Sequence, residues 1–199
     1  VHAAMARNNP RGRGQTREKQ SSVKASRETL FINALNQRGE GIATREGGGP
    51  LYVVGALAGE RVQADVRGER ADLVQVIDSA PDRQTPPCPH FHHCGGCTLQ
   101  HMKMSAYHQW KRAQLDHALQ LNGVETQIDA LVPIEAGSRR RASFAAERRG
   151  RDLYFGFHAA RSNQVVAITQ CMILEPALVA AFDDLRALAA IITPSRGVM

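Results

Sequence analysis

The sequence predicts an α+β protein: a small OB-like β-barrel, then a cysteine-bearing loop, then an antiparallel sheet with helices. Three observations predict it. Between Thr29 and Ile77, short runs of β-branched and apolar residues are separated by glycine turns, the texture of a small closed all-β unit. Between Arg139 and Thr169, apolar and polar residues alternate around an Arg149-Gly150-Arg151 turn, as in an antiparallel meander with one buried face. Residues 105–122 and 176–192 carry apolar side chains at helical spacing.

Residues 1–27 are rich in Arg, Asn and Gly, with little to bury, and are expected to form a disordered basic tail. The tail is either simply solvated or an electrostatic arm for a phosphate backbone. It lacks the apolar stretch of a secretory signal. Residues 28–80 are assigned to the barrel. Strands are expected at 29–35, 42–44, 51–54, 61–66 and 71–77, with turns at Arg38-Gly39-Glu40-Gly41 and Gly47-Gly48-Gly49-Pro50. Val62, Ala64 and Val66 alternate with polar residues and mark the interior. Barrels of this type often bind single-stranded nucleic acid.

Residues 81–102, with Pro81, Pro86 and Pro87, form a linker running into the cysteine loop. The region from 103 to 199 opens with a helix. Ser105 is its expected N-cap and Gly123 lies just past its end. Tyr107, Trp110, Ala118 and Leu121, flanked by Leu115, form a stripe expected to face the core. In the meander, Ala142, Phe144 and Ala146 lie opposite Arg139, Arg141 and Ser143, and Leu153, Phe155 and Phe157 lie opposite Tyr154 and His158. A third strand is expected at 164–169, directly before Cys171. The last helix opens at Glu175-Pro176, with proline at its first position. Leu178, Phe182, Leu185, Leu188 and Ile192 are its expected buried stripe.

Composition narrows the class. The chain has 199 residues, 43% of them hydrophobic, enough for one or two ordinary domains. No apolar run approaches the roughly eighteen residues of a membrane span. Four cysteines are too few for a disulfide scaffold, so a reducing, cytoplasmic compartment is expected. A net charge of +6 favours an acidic partner, most commonly nucleic acid.

Three of the four cysteines lie in Cys88-Pro-His-Phe-His-His-Cys94-Gly-Gly-Cys97, and the fourth is Cys171. Such a set can hold zinc or an iron–sulfur cluster. Structural zinc usually takes two close pairs of ligands, and only Cys94 and Cys97 form one. Three clustered thiols and a distant fourth suit a cuboidal iron–sulfur cluster better. Gly95-Gly96 would let the backbone turn tightly and aim amides at sulfur. Zinc, with a histidine replacing one thiol, and free or redox-active thiols remain alternatives. His90, His92 and His93 read as exposed residues of a polar loop, and His101 as a residue placed to sit against the centre.

The run from Cys88 through Cys94-Gly-Gly-Cys97-Thr-Leu-Gln-His101, with the aromatic helix that carries Lys111, resembles the iron–sulfur branch of the bacterial RNA uracil-C5 methyltransferases. Arg139-Arg-Arg-Ala-Ser-Phe144 and Gln170-Cys171-Met-Ile-Leu-Glu-Pro176 are similar to its central-domain segments, and residues 29–79 to its N-terminal TRAM barrel. The resemblance covers residues 28–190. It implies a [4Fe-4S] cluster on Cys88, Cys94, Cys97 and Cys171, S-adenosylmethionine as methyl donor, and uridine in structured RNA as substrate; the family acts on ribosomal and transfer RNA, the barrel favours ribosomal RNA, and a monomer is expected. In that family a cysteine adds to uracil C6 to make C5 nucleophilic, and a base then removes the C5 proton, after the target leaves its stack.

The sequence departs from the family in having no glycine-rich turn for the methyl donor and no fifth cysteine for the nucleophile. It is therefore expected to be an N-terminal portion, inactive alone, with residues 103–199 an incomplete central domain and the Rossmann-like methyltransferase domain absent. Ala136-Gly137-Ser138 is a smaller departure, standing where relatives often carry an aromatic. Arg139 and Arg141, on one strand face, are the expected phosphate contacts. Arg38 and Arg45, flanking barrel turns, are further candidates. Plain solvent exposure is the alternative for each. Competing functions are a stand-alone RNA-binding module and a zinc-stabilised interaction protein.

Overall fold

Strict alternation of apolar side chains in the first third of the chain produces a closed barrel. The structure is a computed structural model that describes residues 25–45 and 47–194. Residues 1–24 of the expected tail lie outside it. Strands β1 (Ser26–Leu35), β2 (Gly41–Thr44), β3 (Pro50–Val54), β4 (Arg61–Arg67) and β5 (Arg70–Asp78) close in the order β1-β2-β3-β5-β4. The β3–β5 pair is parallel and the others are antiparallel. Leu30, Ile32, Leu51, Val53, Val62, Ala64 and Val66 fill the interior. Extra residues in β1 and β5 shift the register and bend the sheet so that it can close. The first strand starts at Ser26, so Ser26 and Arg27, assigned to the tail by composition, belong to the barrel. Arg27 reaches Asp65 of β4 at 2.8 Å.

The loop between β3 and β4 ties the barrel to the linker. Glu60 is fully buried. Its carboxylate accepts hydrogen bonds from the amides of Leu57 (2.8 Å) and Ala80 (3.3 Å) and from the Arg83 guanidinium (2.5 and 2.7 Å). Arg83 also donates to the Gly55 carbonyl at 2.7 Å. Burial pushes the Glu60 carboxyl up, but Arg83 and the two amides together outweigh it and hold it below its ordinary value. Around this pair, Leu57, Ala80, Leu99 and Met102 form a second core that Tyr107 and Trp110 join. Gly39, at φ 77°, comes so close that a Cβ there would lie 2.9 Å from Leu99 Cδ1. A further tie runs from the barrel to the second half of the chain: Glu40 accepts from Arg70 at 2.9 Å and from Arg161 at 3.2 Å.

His101 is buried beside Phe91, with 1% of its surface exposed and neither ring nitrogen hydrogen-bonded. Burial, reinforced by the nearby Arg83 charge, lowers its pKa from 6.5 to about 4. Between these values the unfolded chain binds the proton and the folded chain does not. Stability contributed by neutral His101 is therefore complete above pH 6.5 and is lost as pH falls towards 4, by about 3 kcal/mol in all. His101→Leu is expected to lose about 2 kcal/mol less than the parent between pH 7 and pH 4.5, measured by urea unfolding at both values. Equal losses would refute it.

Helix α1 (Met104–Leu121) begins one residue before the expected cap. Lys103 is the N-cap residue, no side chain caps the end, and Ser105 lies in the first turn. Gly123 takes the left-handed conformation past the C-terminus, at φ 66°, as its position predicts. The expected stripe divides in two. Tyr107 and Trp110 pack on the second core, while Leu115 and Leu121 are exposed.

The meander is present as β6 (Ala145–Arg149), β7 (Asp152–His158) and β8 (Val165–Ala167), antiparallel in that order. It is shorter than expected. Residues 139–144 are not strand, and Arg139 makes only an isolated parallel bridge with Leu174. The apolar alternation there reflects Phe144 docking among Phe155, Phe157 and Phe182 rather than ladder pairing. The expected last helix is two helices, α2 (Pro176–Ala180) and α3 (Phe182–Ile192), separated at Ala181 (φ −80°, ψ 0°). The break resets the helical phase. Phe182 and Ala189 are buried, whereas Leu188 and Ile192 face outward. Among the described residues, no helix is long and apolar enough to cross a membrane.

Candidate metal centre

The cysteine loop is held by its own carbonyls and by the end of the meander. The Cys88 carbonyl accepts from the Phe91 amide, and the His90 carbonyl accepts from the amides of His93 and Cys94. The Gly95 amide then donates to the His158 carbonyl at 2.9 Å, and Cys94 bridges Ala159. This approach leaves no room for a side chain: a Cβ on Gly95 would lie 2.8 Å from both His158 O and Ala160 N. His90, expected to be merely exposed, is a second tether. Its Nε2 accepts from the Thr169 amide at 3.2 Å and stands 3.2 Å from the Thr169 hydroxyl. His92 and His93 are exposed as expected.

These contacts bring the loop to the segment after β8. Cys88, Cys94, Cys97 and Cys171, none in a disulfide, line one cavity with Phe91, Phe157, Ile168 and Ile173. All the thiols of the chain thus border one small, largely apolar space. Among the described residues, no three or more His, Cys, Asp or Glu side chains are grouped so as to hold a metal ion.

The electrostatics of the space favour neutral thiols over thiolates. Burial pushes the Cys94 thiol up, and Cys88 and Cys171 push it further; the Gly96 amide, 3.4 Å from Cys94 Sγ, opposes them. Burial also raises Cys97, with the other three thiols adding to it and a hydrogen bond with Gln100 opposing. Four thiolates crowded together repel one another, and only bound cations would make them jointly favourable. Soft sulfur donors select zinc or iron–sulfur centres.

Arg139 lines the same cavity. Its backbone is fixed beside the Cys171 segment: its amide donates to the Ile173 carbonyl, and its carbonyl accepts from the Glu175 amide. Its Nε turns back to the Arg141 carbonyl at 3.1 Å. The expected strand face shared by Arg139 and Arg141 is therefore replaced by an irregular segment on which both remain exposed. Arg45 is half-buried and paired with Glu28 at 2.6 Å. Arg38 is exposed at the β1–β2 turn. Sequence reasoning missed Gln100 and the tethering role of His90. Gln100 was signalled by standing three residues after Cys97, whereas nothing in the sequence pairs His90 with Thr169.

No protein-family model matches the chain. Curated relatives do. The chain is 35% identical over 168 residues to an uncharacterized RNA methyltransferase of Brucella suis, covering 84% of this chain and 40% of that protein. It is 41% identical over 161 residues to an uncharacterized RNA methyltransferase of Mesorhizobium japonicum, covering 81% and 38%. It is 36% identical over 168 residues to the 23S rRNA (uracil(1939)-C(5))-methyltransferase RlmD of Marinomonas posidonica, covering 80% and 37%. The chain spans about two fifths of the length of the curated relatives it matches. Over about four fifths of its own length, the chain belongs with the N-terminal part of the RNA methyltransferases that include the 23S rRNA uracil-C5 enzymes.

Proposed function

We propose that this chain is the RNA-recognising, [4Fe-4S]-binding portion of an S-adenosylmethionine-dependent RNA uracil-C5 methyltransferase that acts on ribosomal RNA in the cytoplasm, as a monomer. The observation that carries this reading is the convergence of all four thiols on one cavity, in a chain whose relatives are named RNA methyltransferases. Cys88, Cys94, Cys97 and Cys171 would hold the cluster. A cuboidal cluster gives each thiolate its own iron, and three clustered thiols with a distant fourth suit it better than the two close pairs usual for zinc. It would supply a cross-link between the loop and the meander. The barrel, in this reading the TRAM unit, and the segment around Arg139 would present the RNA-facing surface. In this reading, methyl-donor binding and the nucleophilic cysteine would be supplied by residues other than those described.

Anaerobic purification tests the centre. A brown protein with a visible charge-transfer band and about four iron and four sulfide per chain is expected. A colourless protein with stoichiometric zinc would replace this reading with the zinc-stabilised one. For RNA, the double variant Arg139→Ala/Arg141→Ala is expected to weaken binding and to lower the slope of log K against log salt by about 1.4 on a single strand. An unchanged affinity and slope would remove both arginines from the interface.

A further inference from the structure

A second concavity lies beside the cysteine cavity, between the β1–β2 turn of the barrel, the loop after Cys97, the first half of α1 and residues 134–138. Its volume is about 550 Å³, within the roughly 300–1,000 Å³ of pockets that take small ligands. We infer that this groove seats an unpaired nucleotide of the RNA, with its base against Tyr107 and Trp110 and its phosphates between Arg38 and Lys111. This rests on the reading of the chain as an RNA-binding unit.

Two observations carry it. The first is where the barrel has cation to offer. Arg27, Arg45, Arg61, Arg67 and Arg70 are each ion-paired with a carboxylate. Arg38 alone of the barrel arginines has no such partner among the described residues, and Arg38 lines the groove. The second is the aromatic wall. The Tyr107 and Trp110 ring centroids are 6.0 Å apart, and the Lys111 ammonium sits 5.1 Å from the Trp110 ring and 5.7 Å from the Tyr107 ring. Aromatic faces beside mobile cations are the elements of single-strand recognition, in which bases stack and phosphates pair. Lys111, on an exposed and flexible stem, can exchange its ring contact for a phosphate as a base arrives. Arg38 and Lys111 face one carboxylate in the groove, Glu135, so the charge balance favours an anion. A groove of this volume admits an unstacked nucleotide and excludes a duplex.

Trp110 is the only tryptophan in the chain, so the test has a built-in reporter. The anaerobically purified full chain is titrated with a short single-stranded RNA and with a duplex of the same sequence, while tryptophan emission and affinity are followed separately. The single strand is expected to change the emission and the duplex is not. A 5-iodouracil RNA photocrosslinked to the protein is expected to label the tryptic peptide of residues 104–111. Arg38→Ala and Lys111→Ala, both at exposed positions, are each expected to weaken single-strand binding by about three- to tenfold and to lower the salt slope by about 0.7. Trp110→Phe, which keeps a smaller aromatic face in the second core, is expected to weaken single-strand binding and to lose the signal. Binding with silent tryptophan and crosslinks confined to other peptides would overturn the groove while leaving the RNA-binding reading intact. No binding of any RNA would overturn both. Emission that responds to protein concentration and not to RNA would assign the groove to a second protein chain and overturn the inference.

Discussion

With the cluster held as proposed, Cys171→Ser is expected to abolish it: iron falls below about a tenth of the parent's, and the melting midpoint drops by about 10 °C. Three of the four thiols come from one loop, and Cys171 is the donor from the other side of the cavity. Its loss removes the cross-link as well as a ligand. Structural metal sites contribute folding free energy directly, on the order of 10 kcal/mol in small zinc peptides. Losing about 4 kcal/mol of such a contribution moves a midpoint by about 10 °C in a chain of this size. The loop keeps its Gly95–His158 and His90–Thr169 hydrogen bonds, so the barrel is expected to stay folded while the meander and α3 loosen. Iron and sulfide analysis with calorimetry checks this. A metal-free parent must melt with the metal-free variant, since serine is nearly isosteric with cysteine. A variant that keeps both iron and midpoint would refute the assignment of Cys171.

Glu60→Ala is expected to cost about 3 kcal/mol, because it leaves the partly buried Arg83 guanidinium without its carboxylate and frees two buried amides. Removing both partners in Glu60→Leu/Arg83→Met is expected to cost less than either single change, since no charge then remains without its counterpart. Urea unfolding of the three variants gives the comparison, and a double variant as unstable as the sum of the singles would contradict it. The pair also sets an acid limit. The Glu60 carboxyl is held below its ordinary value, so its stabilisation is complete above the unfolded value near 4.5 and is lost as pH falls through the folded one.

The sequence made the barrel legible because burial there follows side-chain alternation, and Val62, Ala64 and Val66 state it openly. The start of β1 was hidden because Ser26-Arg27-Glu28 pairs through backbone and ions and offers no apolar rhythm. Alternation misled at residues 139–144, where Phe144 is buried by an aromatic cluster and not by a sheet. The break at Ala181 was hidden because alanine favours helix, and what ends α2 is packing at Phe182 rather than local chemistry. Spacing singled out the cysteines, and the structure places all four on one cavity. The Glu60–Arg83 pair had no such signal, since two charges far apart in sequence carry no mark of their partner.

The crowding at Gly95 bears on the order in which the protein matures. The loop's backbone docks on the end of β7 through contacts that involve no sulfur. During synthesis the loop emerges well before residues 152–171, and its docking must wait for that later stretch, a long-range closure of the kind that slows folding. Until then its three thiols are unguarded. A metal taken up as proposed would thus arrive on a frame already closed by backbone, and mutations that delay the meander would leave the thiols open to oxidation without touching any of them.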